Sequence, residues 1–338
     1  MMDAWFSTAA LAAAITALGA NANQEPANDE ATAPAQTPAP VLTPAPDPIR
    51  ESAQTYAAYH ADVGAAGRRE LRSGADLDAT MDALAQYYDG DRLVDAQIAY
   101  ASLIAAQHPE FIDAVRAVAD YYGADTARAA LTHDPIYVTG FMGADLAQGS
   151  VVDAIGADVN SIRQVGERYR EEAYALQNET WAARRARDRQ ERLSALETAS
   201  ERLDVQFTLA PGAQPGADTG AAPLGAASSL VDTVPPAGAP ALPELQVTVG
   251  EAQLEPDERR VGRMLAVAAL QSIEDGDMTA LDSMLDDPSV ERCIRWARLT
   301  MAQCVAAGHF KYEDSFCIAE HALSDVADCL TATRPVSN

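Results

Sequence analysis

His309, Glu313, Asp314 and His321 form the one cluster in this chain whose residue types and spacing could support chemistry. Carboxylates beside imidazoles can donate and accept protons, or hold a metal ion, when a rigid scaffold fixes them. The competing expectation is structural: Glu313 and Asp314 begin a helix, where the positive end favours acids. No Gly-x-Ser-x-Gly elbow, His-Glu-x-x-His helix or glycine-rich phosphate loop occurs elsewhere. No residue is therefore assigned as catalytic or as a metal ligand, and no cofactor is implied. The expected role is non-enzymatic interaction or scaffolding. The alternative is a hydrolase acting on an envelope polymer, with these carboxylates as acid and base.

All four cysteines, Cys293, Cys304, Cys317 and Cys329, surround that cluster. Cys293 and Cys304 are eleven apart. On one helix they share a face, about 20° off and roughly 16 Å apart, too far for a bridge, whose Cα atoms lie within about 7 Å. An antiparallel helical hairpin opposes positions whose numbers have a constant sum. The nested pairs Cys304–Cys317 and Cys293–Cys329 have sums that differ by one, so they fit nearly in register. Four thiolates, with Cys317 and His321 one turn apart, could instead bind zinc. Structural zinc sites usually show close Cys-x2–4-Cys pairs, and none is present. Disulfides are the preferred reading.

The hairpin that carries them follows from pattern. Ser289 is the expected N-cap after Pro288, and Val290, Ile294, Ala297 and Met301 recur at helical spacing. Gly308 is the expected left-handed stop. A second run carries Phe316, Cys317, Ala319, Leu323, Val326 and Leu330. Cys317 and Cys329 are twelve apart, about 120° round an unbroken helix, so a bend is expected at Ser324-Asp325.

Upstream, Val151 to Leu203 is the longest helical pattern, with a break expected near 187–190. Arg184, Arg185, Arg187, Arg189 and Arg192 invite a phosphate-site reading. Asp188, Glu191, Glu197 and Glu201 interleave with them, which favours a solvated, salt-bridged face. Trp181 reads as core, with a partner anchor as the alternative. Tyr87-Tyr88 and Tyr121-Tyr122 recur thirty-four apart, the length of a tetratricopeptide repeat. The rest of that pattern fails, which leaves stacked helix pairs. Asp89-Gly90-Asp91 and Asp275-Gly276-Asp277 lack later calcium ligands and read as helix stops.

A net charge of −26 argues against nucleic-acid partners. Residues 6–20 are an apolar run too short to span a bilayer, followed by a small-x-small site at Ala20-Asn21-Ala22. The run lacks a preceding Lys or Arg, a departure from the usual signal peptide. Residues 1–22 are expected to be a signal peptide, leaving no membrane span after cleavage and a periplasmic or secreted protein. Fourteen of the nineteen prolines fall in 23–48 and 210–246, read as disordered linkers. They separate an α-helical domain, 49–209, from a stapled domain, 247–332, with a tail over 333–338. The fold class is all-α: a helical N-terminal domain with a long coiled-coil-like helix, plus a smaller C-terminal α-hairpin domain.

Ala173-Tyr174, Gln177 and Trp181, then Asp188-Arg189 with Arg192-Leu193, then 312–317 and 321–325 resemble a family of exported alphaproteobacterial proteins of unknown function. The resemblance covers most of the chain outside the linkers. It implies export and the pairing of the two helical segments, and it transfers no catalytic residues. The expected partner is another envelope protein.

Overall fold

The computed structural model describes residues 47–88, 92–186, 189–201, 254–273 and 278–335. The expected signal peptide, both Asp-Gly-Asp stops and the 210–246 linker lie outside the described residues.

Helix α1 (Pro48–Arg68) starts where the Asp47 carboxylate accepts from the Ile49 and Arg50 amides, with Pro48 in the first turn. Its C-terminus is closed from another helix: Arg168 donates to the carbonyls of Ala66, Gly67 and Arg69. Helix α2 (Gly74–Ala85) opens with a Ser73/Asp76 capping box. Then come α3 (Arg92–Ala105), α4 (Pro109–Tyr122), α5 (Ala124–His133) and a 3-10 turn over Pro135–Gly140. Gly143 adopts φ 75°, and a Cβ there would lie 2.8 Å from the Phe111 amide nitrogen. Only glycine fits that approach.

The long helix is α6 (Ala144–Leu176), and α7 (Arg189–Ser200) follows it. The helix therefore ends eleven residues before the start of the expected break, in turns that carry Trp181. Along its length α6 packs against α1, α3 and several C-terminal elements, not against one coiled-coil partner. Of the paired tyrosines, Tyr87 and Tyr88 are buried, whereas Tyr121 is 81% and Tyr122 59% exposed. The thirty-four-residue recurrence thus has no structural counterpart.

After the linker come strand β1 (Leu254–Pro256), α8 (Glu258–Ser272), α9 (Met278–Leu285) and α10 (Pro288–Ala307). Helix α11 (Glu313–Cys317) continues through a π-helical segment, Ile318–Ser324, into α12 (Asp325–Leu330) and strand β2 (Thr333–Pro335). The strands pair antiparallel, Glu255 opposite Arg334, so 333–335 is held in a ribbon and is not a free tail.

Among the described residues, the N-terminal helices and the stapled C-terminal helices pack around a single core. Helix α3 is apolar around almost its whole circumference, from Leu93 to Ala105, and must be covered on every side. Helices α1, α6 and α8 supply that cover. Buried Arg260 on α8 ties the halves together, donating to the Gln97 side chain of α3 and to the carbonyls of Cys329 (2.8 Å) and Thr331 (2.7 Å). The Pro/Gly-rich stretch joins two parts of one core.

The sulfurs are joined Cys293–Cys329 and Cys304–Cys317, with Cα separations of 5.5 and 5.6 Å. Three local details of the hairpin differ from expectation. The N-cap of α10 is Asp287, whose carboxylate accepts from the Ser289 and Val290 amides and the Ser289 hydroxyl. Asp287 caps the amides two and three residues on with a full charge, and Pro288 fits the first helical position, so the helix begins two residues earlier than a Ser289 cap would allow. Gly308 ends α10 in an extended conformation, φ −60°, with no left-handed turn.

The third detail is the π segment, which replaces the bend expected at Ser324. A π-bulge, built on i→i+5 bonds, takes up about one extra residue without breaking the helix. Twelve positions then behave as eleven, so Cys329 returns to the face of Cys317, about 20° away instead of 120°. The one-residue difference between the two pair sums is absorbed there. Gly166 of α6 makes room for it: a Cβ would meet the Ala319 carbonyl at 3.2 Å and the Ser324 hydroxyl at 3.1 Å.

The Cys304–Cys317 bridge closes a separation of 13 residues inside the larger loop. Replacing both cysteines by serine should cost about 2–3 kcal/mol in urea unfolding. An unchanged midpoint would mean the helices hold this turn without the bond.

Candidate binding cleft

The loop that the inner bridge closes is fastened to the turn after α6. Tyr312 donates to the Ala182 carbonyl (3.1 Å), Lys311 to Arg184 (3.2 Å), and Ala186 donates back to His309 (2.8 Å). Arg185 and Phe310 form the β-bridge between them. Glu313 completes the loop, its carboxylate accepting from the His309 and Phe310 amides. The result is a short backbone ladder that presents Arg184 and Arg185 on the side where α2 and α7 face each other.

Behind the ladder lies a buried ion-pair network. Asp314 is fully buried; its carboxylate contacts Arg192 of α7 through one oxygen and Lys311 at 2.7 Å through the other. Lys311, the sole lysine in the chain, also reaches Asp78 of α2. Gly74 gives its stem space, since a Cβ there would approach the Lys311 Cε to 3.0 Å. Burial pushes the Asp314 carboxyl upward, and the neighbouring ammonium and guanidinium oppose that push.

In front of the network is a cleft of about 650 Å³ whose cations are Arg184, Arg185, Arg192 and Lys311. Half-buried Trp181 with Met81 and Leu196 supplies apolar wall, and Asp78, Asp82 and Glu191 also border it. Arg192 and Lys311 are neutralised by Asp314 and Asp78. Arg184 and Arg185 are exposed and have no ion-pair partner among the described residues. The size lies in the range of small-molecule pockets, with a few polar groups against apolar wall.

The proposed His309, Glu313, Asp314 and His321 cluster is not assembled as a unit. Glu313 is spent on backbone amides, as the helix-start expectation has it, and Asp314 on two cations. The His321 Nδ1 sits 2.8 Å from Asp325, which also contacts the Thr300 hydroxyl (3.3 Å). Imidazole and carboxylates thus belong to different contacts, because the wide π turn carries His321 towards α10 and α12. Among the arginines read as a solvated face, Arg192 is a buried partner of Asp314, while Arg187 and Asp188 lie outside the described residues. The pairing joins positions 122 apart, so no local spacing could announce it. The one available signal was the lone lysine.

A comparison of the chain with protein-family models, curated proteins and solved structures gave no match. The cleft must therefore be read from its own chemistry.

A second polar group lies inside the core. His60 of α1 and Asp158 of α6 are both buried, with Nε2 3.9 Å from Oδ2. Tyr56 hydrogen-bonds Asp158, and Gln97 approaches the Tyr56 hydroxyl at 3.5 Å, extending the contact towards Arg260. Desolvation pushes the Asp158 carboxyl up to about 8 and the His60 imidazole down to about 3. Both side chains are neutral near pH 7, a state that suits two polar groups walled in by Tyr56, Tyr59 and Tyr100.

A further notch of about 250 Å³ lies beside the outer bridge, bordered by Cys293, Cys329, Arg259, Arg260, Arg263 and Asp287, among others. Among the described residues no group of three or more His, Cys, Asp or Glu could hold a metal ion, and no helix is long and apolar enough to cross a membrane.

Proposed function

We propose that this chain is a non-enzymatic binding or scaffold protein of an oxidising, extracytoplasmic compartment, periplasmic or secreted. The observation that carries the reading is that all four cysteines are consumed in two bridges, the inner of which closes the loop that builds the cleft. Cytosolic proteins seldom keep such bonds, because thiol pools reduce them. The apolar run at residues 6–20 and the resemblance to exported alphaproteobacterial proteins support the same location. The partner is another envelope component, and the cleft between α2 and α7 is where it or its ligand docks. The hydrolase reading has no observation in its favour, since both of its carboxylates are engaged, one with backbone amides and one with two cations.

The test is fractionation of the native host, with non-reducing peptide mapping of the recovered protein. Crosslinking of the envelope fraction follows, with mass spectrometry of the products. The reading expects recovery outside the cytoplasm, fully bridged, with a reproducible partner at the cleft face. Recovery in the cytoplasm with free thiols would end it.

A further inference from the structure

We propose that the cleft between α2, α7 and the ladder binds an oxyanion, a phosphate or carboxylate, carried on a ring. Four of the chain's twenty-four Lys and Arg residues converge here in a protein of net charge −26. They divide into two kinds. Arg192 and Lys311 are fixed by Asp314, a carboxylate with no exposed surface, and serve as frame. Arg184 and Arg185 are surplus to that frame, exposed, adjacent and without an ion-pair partner among the described residues.

Backbone position is the second point. The Arg184 carbonyl, the Arg185 bridge and the Ala186 amide are held by the disulfide-closed loop, so the two guanidinium groups stem from an anchored strand. A guanidinium presents paired N–H donors that match the oxygens of a phosphate or carboxylate, and prior ordering reduces what binding must spend on it. Bordering carboxylates do not cancel this. Asp78 is already taken by Lys311, and Asp82 has a contact of its own. Glu191 lies on the α7 side and limits the net charge the cleft accepts to a small anion.

The apolar wall selects what carries the anion. Trp181, with Met81 and Leu196 beside it, offers an indole and aliphatic surface to a planar or sugar ring. A bare inorganic ion would leave that wall unused.

The inference rests on the binding reading above and deepens it. The test titrates the full chain by calorimetry with phenyl phosphate, phenylacetate and inorganic phosphate. Phosphorus NMR of the phenyl phosphate sample runs alongside. Phenyl phosphate or phenylacetate should bind saturably, and the tighter of the two identifies the oxyanion. The R184A/R185A double variant should weaken binding about 10- to 100-fold with its melting temperature unchanged, because both side chains are exposed. W181A should weaken only the ring-bearing probes.

No saturable binding of either ring-bearing probe overturns the proposal and leaves the location and partner tests untouched. Binding that survives R184A/R185A, or inorganic phosphate binding as tightly as phenyl phosphate, also overturns it. Release of inorganic phosphate from phenyl phosphate, lost in the same double variant, would uphold the site and overturn the non-enzymatic reading.

Discussion

Asp314→Ala should destabilise the protein by about 3–5 kcal/mol, the usual cost of removing one partner from a buried ion pair. The carboxylate has no exposed surface and touches two cations, whose own side chains are only 11% (Arg192) and 16% (Lys311) exposed. Deleting it strands both charges behind the cleft. Lys311 can fall back on Asp78, but among the described residues Arg192 keeps only the Gly308 carbonyl at 3.4 Å. Urea unfolding of the wild type and variant at pH 7 measures the difference. A companion triple variant, Arg192→Met, Lys311→Met and Asp314→Leu, should recover most of the loss, because it removes the charges together. A loss below about 1 kcal/mol for Asp314→Ala would mean the network is solvated, and that the frame assigned to the cleft does not exist.

The second large effect concerns pH. The unfolded chain releases the Asp158 proton near 3.8, but the folded protein keeps it to about 8. Stability therefore falls as pH rises through that window, since the folded state binds the extra proton. His60 runs the other way: the unfolded chain is protonated below 6.5, and the folded imidazole resists protonation down to about 3. Its contribution rises with pH across that interval. Between about pH 4 and 6.5 the two slopes oppose each other and leave a plateau. From 6.5 to 8 only Asp158 titrates, at about 1.4 kcal/mol per pH unit, so roughly 2 kcal/mol is lost. Asp158→Asn has the shape of the protonated acid and cannot ionise. Its stability should hold steady from pH 6.5 to 8.5 while the wild type declines, so the variant gains on the wild type as pH rises. Parallel curves for the two proteins would show that Asp158 is ionised in the folded state.

The architecture was legible wherever a repeat or a register encoded it. The nested sulfur pairing followed from the antiparallel geometry of two helices. The buried face of α10 followed from three–four spacing, Val290 to Met301. What failed was inference across distance. The Pro/Gly-rich stretch read as a domain boundary because composition cannot tell a tether between cores from a long excursion within one. Helix α3 held the contrary signal: a helix apolar on all sides needs more cover than α1 and α6 provide, and α8 brings the rest.

The candidate site shows the same division. Asp314 was singled out from sequence, but as an acid–base group beside His309 and His321. Its actual partners come from α7 and the loop, and Lys311 carries the connection on to α2. Charge alternation around Arg192 suggested pairing along one helix; tertiary packing offered a buried carboxylate instead, and the desolvated pair prevailed over local neighbours.

The π segment bears on how this tail tolerates changes of length. Its helix holds one residue more than a plain α-helix needs to line up both sulfurs, and the surplus is parked in a widened turn against Gly166. Relatives lacking a residue between 318 and 324 can therefore keep both crosslinks on an ordinary helix, whereas a deletion between 325 and 328 swings the final sulfur about 100° off its mate. Insertions and losses in this tail are position-dependent, and the spacing of its cysteines is a poor guide to kinship.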